Sequence, residues 1–285
     1  MLLRLRLLEA EFDESVQDIQ EMLMNAVRRG SERGKADHGW LKSFHTFSFA
    51  EYFDPKFTEF GVLRVINEDL VQAGAGFGTH SHKNMEIISY VLSGELAHQD
   101  SMGNGSTIRS GDVQRMSAGS GITHSEYNPS TKEALHFLQI WIKPDVLNIK
   151  PSYEERRFAQ SEKRGQLRLI VSSDGADGSL SMRQDAKLYS GLFDADEVAL
   201  LSATRGRVRY VHVARGNIDA NGIPLSGGDA LRIVDASSLT LERGRAAEVL
   251  VFDLPPTTSS ALAEPFRVEI LWPKARQSVR SRRHT

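Results

Sequence analysis

Two short motifs in the first half of the sequence could bind a metal ion. His80-x-His82 and His124-x-Glu126 each place two potential ligands two residues apart. On a β-strand such residues point to the same face, with Cα atoms roughly 6.5 to 7 Å apart. Either motif alone is weak evidence, but together they supply three imidazoles and one carboxylate. That donor set suits Fe(II), Mn, Ni, Cu or Zn, so we predict one transition-metal site.

The elements that would carry these motifs are mainly β-strands. Beyond residue 40, helical periodicity gives way to short runs rich in β-branched and aromatic residues, separated by Gly, Asn, Asp and Pro. Predicted strands cover residues 60–66, 86–92, 135–142, 167–171, 208–213 and 248–253. Many short strands joined by tight turns are typical of an all-β sandwich or barrel.

A weak internal repeat divides the β-rich region into two similar halves. Gly94 leads through a hairpin-like segment to Gly111-Asp112, and Gly216 leads in the same way to Gly228-Asp229. The separation between the two copies is nearly the same at both ends of the repeat. We therefore expect two stacked β-barrels, joined around residues 144–158, where prolines and charged residues interrupt the strand pattern.

Composition excludes several classes of site and partner. The 285 residues include no cysteine, which removes thiol catalysis, disulfides and Cys-ligated metals and leaves His and carboxylates as metal ligands. The formal net charge of −2 gives no electrostatic reason to bind nucleic acid or an anionic membrane. No run approaches the roughly 18 apolar residues of a membrane span, and no export signal is evident, so a cytoplasmic protein is predicted.

The two ends of the sequence differ in pattern from its body. Phe12, Val16, Ile19 and Leu23 recur at helical spacing among acidic residues, which predicts a short amphipathic helix. We interpret residues 1–24 as an N-terminal extension, with a misassigned start as the alternative for residues 1–21. Residues 257–285 are rich in Ser, Thr and Arg and are predicted to form a C-terminal tail.

Longer motifs around the histidines resemble the cupin superfamily and, more specifically, the pirin family. Gly74-x5-His80-x-His82-x3-Glu86-x7-Gly94 is similar to the first cupin motif, and the run from Gly111 to Asn128 is similar to the second, although Ser117 replaces the usual Pro. The pirin-like segments are Arg33-Gly34, His38-Gly-Trp40, His45-Thr-Phe-Ser-Phe49, Arg64-Val-Ile-Asn67, Gly78-Thr-His-x-His82-Lys-x-Met-Glu86, His98-Gln-Asp-Ser101 and Ser117-Ala-Gly-x-Gly-Ile-x-His-Ser-Glu126.

The pirin resemblance implies two cupin barrels, of which only the N-terminal one holds iron. Its ligands would be His80, His82, His124 and Glu126, with Fe(II) as the expected ion and Mn, Ni, Cu or Zn as alternatives. Glu86 is a rival for the carboxylate position, because generic cupins use the Glu of the first motif. We assign residues 25–145 to the metal-binding barrel and 146–256 to a metal-free barrel, which lacks a His-x-His motif.

The same resemblance implies an oxidoreductase, since bacterial pirins of this kind are quercetin 2,3-dioxygenases. The expected partners are a small aromatic or enolic substrate and O2, and Glu126 would act as the base that takes the proton of the flavonol 3-hydroxyl. The alternative is an iron-binding, redox-sensing module that regulates or binds another protein without turnover. No membrane and no nucleic-acid partner is expected in the first interpretation.

Overall fold

The structure is a computed structural model that describes residues 27–234 and 238–256. Its strands in the first part of the chain are β1 Val27–Arg28, β2 Gly34–Asp37, β3 Leu41–His45, β4 Leu63–Val71, β5 Gly76–His82, β6 Glu86–Ser93, β7 Glu95–Asp100, β8 Gly105–Arg109, β9 Asp112–Ser117, β10 Ile122–Tyr127, β11 Leu135–Ile142 and β12 Ser152–Arg157. The later strands are β13 Arg168–Ser172, β14 Leu180–Ser181, β15 Lys187–Phe193, β16 Ala199–Leu201, β17 Val208–Ala220, β18 Ile223–Ser226, β19 Ala230–Ile233 and β20 Leu239–Leu254.

Helical structure in the described ranges is limited to short segments. They are the four-residue α-helix α1, Gln160–Lys163, and the 3-10 turns Gly30–Glu32 and Ala176–Gly178. None of these helices has the length and apolar character needed to cross a bilayer. The helix predicted within residues 1–24 and the tail at residues 257–285 lie outside the described residues.

Three sheets build two barrels that pack against each other. A seven-stranded sheet, ordered β12-β9-β6-β11-β4-β3-β2, faces a four-stranded sheet, ordered β5-β10-β7-β8, and these two form the first barrel. A nine-stranded sheet runs β1-β19-β17-β20-β15-β13-β14, with β16 paired to β20 and β18 paired to β17, and forms the second barrel. The prediction of an all-β chain with two stacked barrels is confirmed.

The two barrels exchange strands across the predicted division of the chain. β1 pairs with β19 of the nine-stranded sheet, although it precedes the first barrel in sequence. β12 pairs with β9 of the seven-stranded sheet, although it lies in the segment 146–256. Each barrel is therefore completed by a strand that the sequence interpretation places with the other part of the chain.

Local chain geometry explains how the predicted strands differ from the observed ones. The run at residues 60–66 forms a strand only from Leu63, because Gly61 has a φ of 59° and the backbone groups of Phe60 and Leu63 bond to each other across a turn. The four glycines of the predicted repeat all have positive φ, namely 81° at Gly94, 93° at Gly111, 70° at Gly216 and 87° at Gly228. Glycine adopts this conformation without the steric penalty of a Cβ, so both copies turn at the same points.

Apolar side chains fill the second barrel and the junction between the barrels. Val211, Val213, Val249 and Val251 alternate along β17 and β20 with their side chains inside the second barrel. A larger cluster, which includes Tyr90, joins the two barrels. Fully burying one such aliphatic side chain stabilises a fold by roughly 1.5 to 3 kcal/mol. The first barrel differs, because polar side chains line much of its interior.

Candidate metal centre

The pairing of β5 with β10 brings the two histidine motifs together. In this antiparallel pair, His124 lies opposite His80 and Ile122 lies opposite His82. The register shifts by one residue between His124 and Glu126, which is the signature of a β-bulge. A bulge changes the direction of the side chains beside it, and here Phe77 is placed opposite Glu126.

The three histidine rings form a compact triangle. Their ring centroids are 4.8 Å apart for His80 and His82, 4.4 Å for His80 and His124, and 4.9 Å for His82 and His124. One ring nitrogen from each lies within 4.8 Å of the others. The structure thus brings together all three imidazoles that the sequence predicts as candidate ligands.

The protonation of these rings favours metal binding. Burial lowers the pKa of His80 and His124 and lowers that of His82 to about 3, so all three are neutral at pH 7. The Nδ1 of His80 lies 2.8 Å from the carbonyl oxygen of Gly78, which can only accept. Nδ1 therefore carries the proton, and the lone pair of Nε2 is available to a metal.

Glu126 supplies a buried carboxylate to the same region. Its side chain accepts hydrogen bonds from the Ser89 hydroxyl at 3.0 Å and from the Gln139 amide at 2.7 Å. Burial raises the pKa of Glu126 to about 7, against the opposing effect of these two hydrogen bonds. One of its oxygens lies within 4.8 Å of ring nitrogens of His98 and His124. The carboxylate thus approaches the histidine triangle from the side of His124.

His98 is a neighbour of the site whose role the sequence does not reveal. Its Nδ1 lies 3.2 Å from the Gln114 amide nitrogen and 3.5 Å from the Nδ1 of His124, and its Nε2 lies 3.5 Å from an Asp100 oxygen. If Gln114 donates to Nδ1, His98 is protonated at Nε2, toward Asp100. The Nε2 of His124 has no hydrogen-bond partner among the described residues and is the ring nitrogen available to a metal. The sequence signals for His98 are the spacing of His98-x-Asp100, which repeats that of His124-x-Glu126, and the pirin-like segment His98-Gln-Asp-Ser101.

Glu86 lies away from the histidine triangle. β5 ends at His82 and β6 begins at Glu86 in a different sheet, with Asn84 at a φ of 50° in the turn between them. The side chain of Glu86 accepts a hydrogen bond from Ser117 at 2.7 Å. Ser89, three residues along β6, points to the opposite face and contacts Glu126. β5 and β6 are therefore two separate strands. Only one unbroken strand from His80 to Glu86 would place Glu86 beside His80 and His82.

The residues present fit a divalent transition-metal ion. Nε2 of His124 is buried and has no hydrogen-bond partner among the described residues, although buried polar atoms are nearly always bonded. Three neutral imidazoles and one carboxylate are donors that such ions accept. In the parts of the chain that the structure describes, candidate metal-binding groups occur in the first barrel.

A cavity opens beside the histidines. The space within it and in front of its mouth is together about 690 Å³, part of which is open solvent. Its apolar walls include Leu41, Phe49, Phe77 and Trp141, and its polar lining includes Ser43, His45, Asn67 and Asp69 in addition to His80, His82 and Glu126. An apolar cavity with a few convergent polar groups is the usual form of a small-molecule site. His38 also lines the cavity.

Comparison with known proteins places the chain in a family. The family model "Pirin" matches residues 26–142, and a model described as "Quercetinase C-terminal cupin domain" matches residues 169–254. Quercetin 2,3-dioxygenase of Escherichia coli strain K12 is 49% identical over 230 residues, covering 81% of this chain and 98% of that protein. A pirin-like protein of Caulobacter vibrioides is 40% identical over 222 residues, covering 77% and 95%.

A solved structure agrees with the sequence matches. The bacterial pirin YhhW from Escherichia coli, in complex with nickel(II), has a TM-score of 0.77 to this chain at 49% identity. The superposition covers 81% of this chain and 98% of the YhhW chain. The fold has two cupin barrels with a histidine cluster in the first, and both halves of the sequence match the family models. The chain belongs to the pirin family.

Proposed function

We propose that this protein is a quercetin 2,3-dioxygenase that uses one divalent metal ion, Fe(II) in our assignment, bound by His80, His82, His124 and Glu126. The observation that carries the proposal is the triangle of three neutral imidazoles, with the buried carboxylate of Glu126 beside His124, next to an apolar-walled cavity that His80, His82 and Glu126 line. The relative that is 49% identical over 81% of this chain, a quercetin 2,3-dioxygenase, supports the substrate, and the nickel complex of YhhW supports a divalent metal.

The metal contributes one part of the chemistry. When bound, a divalent ion acts as a Lewis acid that lowers the pKa of an enolic hydroxyl of the substrate. The remaining requirements fall on the chain itself, which must accept a proton, hold an aromatic substrate in one orientation and limit access of water.

In this proposal Glu126 is the base that accepts the proton of the flavonol 3-hydroxyl. Burial raises the pKa of this carboxyl to about 7 when no cation is bound, and a bound cation would lower it, so the carboxylate is ionised and able to accept a proton at neutral pH. The Ser89 and Gln139 hydrogen bonds hold the carboxylate from the opposite sheet and keep it directed into the barrel. The flavonol anion then reacts with O2, both of whose atoms enter the products as the heterocycle opens and one carbon leaves as CO.

The cavity wall orients the aromatic rings of the substrate. Trp141 packs edge-on against His82 at a centroid distance of 5.0 Å and against Phe49 at 5.5 Å. Flat aromatic and aliphatic walls favour a planar ligand and exclude water from the reacting atoms.

The test is an aerobic assay of the Fe(II)-loaded protein with quercetin, in which loss of flavonol absorbance and release of CO are followed together. The proposal predicts one CO for each quercetin consumed. Binding of quercetin without CO release would contradict it and would favour the non-catalytic sensing role.

A further inference from the structure

A row of polar side chains crosses the seven-stranded sheet on the face that lines the first barrel. His45 on β3 pairs with Asn67 on β4, Asn67 pairs with Gln139 on β11, Gln139 pairs with Ser89 on β6, and Ser89 pairs with Gln114 on β9. Residues directly opposite each other on neighbouring strands share a face. We call these five residues the polar row.

Three members of the polar row support the candidate metal centre. Ser89 and Gln139 donate to Glu126, and the Gln114 amide lies within hydrogen-bond distance of His98. Each of these three polar side chains therefore has a partner that explains its presence in the barrel interior.

The other two members have no such partner. Asn67 is 3% exposed and His45 is 4% exposed, yet Asn67 Oδ1 and His45 Nδ1 form no hydrogen bond with the described residues. Leaving a buried polar atom unbonded destabilises the fold, so native proteins rarely do it without a reason. Both side chains line the cavity beside the histidines. Both atoms are closed to water in the described conformation, so a ligand hydroxyl in the cavity would reach them after a small movement of the side chains.

Two polar side chains at a neighbouring paired position of β3 and β4 do form a hydrogen bond with each other. Ser43 on β3 pairs with Asp69 on β4, and the Ser43 hydroxyl donates to Asp69 Oδ1 at 2.5 Å. Two residues further along, His45 and Asn67 occupy the equivalent paired positions without a mutual bond. Of these two neighbouring pairs, Ser43 and Asp69 bond to each other, whereas His45 and Asn67 do not.

We infer that Asn67 and His45 form a polar subsite that hydrogen-bonds a ring hydroxyl of the substrate, remote from the hydroxyl at the metal centre. This inference rests on the proposed function and narrows its substrate class to planar phenolic compounds with a second, distant hydroxyl. The Oδ1 of Asn67 accepts and would take the hydroxyl proton. The His45 ring, fixed by Phe49 at a centroid distance of 5.2 Å, offers Nδ1 as the second contact.

Strand spacing sets the distance between the two ends of such a ligand. Gln139, which bonds Glu126, lies on β11, while Asn67 lies one strand away and His45 two strands away. Neighbouring strands are separated by about 4.7 to 4.9 Å, so the subsite lies roughly 5 to 10 Å from the carboxylate anchor. That span is comparable to one or two aromatic rings.

The test compares two flavonols as ligands of the Fe(II)-loaded protein without O2. Quercetin carries hydroxyls on both ring systems, whereas 3-hydroxyflavone carries only the hydroxyl assigned to the metal centre. Absorbance titration should show tighter binding of quercetin by the wild type, by roughly 3- to 10-fold for each hydrogen bond. Asn67→Leu and His45→Phe should each reduce this preference by weakening quercetin binding alone.

Thr46→Val is the matched control. The Thr46 hydroxyl is also buried and unbonded among the described residues, and it is adjacent to His45, but Thr46 is not part of the cavity lining. This variant should keep the wild-type preference. Thermal midpoints of Asn67→Leu and His45→Phe should equal or exceed that of the wild type, because an unbonded polar group is replaced by an apolar one. If Asn67→Leu does not fold, Asn67→Ala provides the same comparison.

The outcomes separate this inference from the proposed function. Equal binding of the two flavonols by the wild type, binding of neither, or an unchanged preference in both variants would overturn the subsite. If 3-hydroxyflavone releases CO under air and quercetin binds no more tightly than 3-hydroxyflavone, the dioxygenase function is supported and the subsite is overturned. A preference that both variants abolish, without CO release from either flavonol, would support the subsite and overturn the dioxygenase.

Discussion

Glu126 accepts two hydrogen bonds from across the barrel. We propose that it is both a metal ligand and the base that accepts the proton of the substrate. Glu126→Gln should retain part of the metal, because three imidazoles remain, but it lacks the anionic proton acceptor. We expect turnover of quercetin to fall by roughly 10² to 10⁴, measured as CO release at matched metal content. Glu86→Gln is the matched control and should retain turnover near the wild-type rate. An active Glu126→Gln together with an inactive Glu86→Gln would contradict the assignment.

The raised pKa of Asp69 in the cavity can be tested by the way the free energy of unfolding depends on pH. Burial raises its pKa from an ordinary 3.8 to about 7, so between these values the folded protein binds more protons than the unfolded chain. The free energy of unfolding should therefore decline as pH rises from about 4 to 7 because of this group. Asp69→Asn removes that decline and should be more stable than the wild type above pH 7, by roughly 2 to 4 kcal/mol.

The measurement is denaturant unfolding of metal-free wild type and Asp69→Asn at pH 4 and pH 8. The stability difference should be small at pH 4, where Asp69 is largely protonated in the folded state, and large at pH 8. A difference that does not change with pH would show that Asp69 is ionised in the folded protein throughout.

At the scale of residues, the sequence was sufficient to identify the candidate ligands but not their supporting groups. His-x-His and His-x-Glu spacings carry a chemical meaning on any strand, and the structure brings His80, His82 and His124 together. Ser89, Gln139 and Gln114 reach the site from the opposite sheet. Such contacts depend on the register between distant strands, which no local pattern of residues specifies.

The close approach of β5 and β10 determines whether the two halves of the metal centre meet. A Cβ added to Gly76 would lie 2.3 Å from the Glu126 carbonyl oxygen and 2.6 Å from the Tyr127 Cα. Gly76→Ala should therefore push β5 away from β10 without changing any ligand. We expect it to weaken metal affinity at least tenfold, as measured by competition with a chromogenic chelator.

Gly105→Ala is the matched control in the same four-stranded sheet. A Cβ at this position would meet only the His98 carbonyl oxygen, at 3.9 Å, which is ordinary contact. Its metal affinity should remain within about twofold of the wild type, since such surface-sheet changes are usually small. Equal effects of the two substitutions would show that the spacing of β5 and β10 does not control binding.

The strands illustrate where pattern reasoning is sufficient and where it fails. The runs at 86–92 and 135–142 correspond closely to β6 and β11, because continuous apolar and β-branched residues mark buried strands. The face of Glu86 was not predictable from alternation, since the chain turns at Asn84 between β5 and β6. Alternation holds only within one unbroken strand.

The two barrels use the same architecture for different interiors. Aliphatic side chains fill the second barrel, whereas the first contains the histidine triangle, the polar row and the cavity. Glycine turns made the repeat visible in sequence, but the exchange of β1 and β12 between the barrels was not visible. β1 has only two residues, and β12 lies between the two barrels in sequence, so no local pattern specifies their partners.

We propose that one metal ion in the first barrel drives quercetin cleavage. The most direct measurement is a titration of chelator-treated protein with Fe(II), in which the rate of CO release from quercetin is recorded at each addition. We predict a linear rise that ends at about one equivalent per chain, and no CO release from His124→Ala at any loading. A rise that continues to two equivalents, or CO release by His124→Ala at the wild-type rate, would contradict the account.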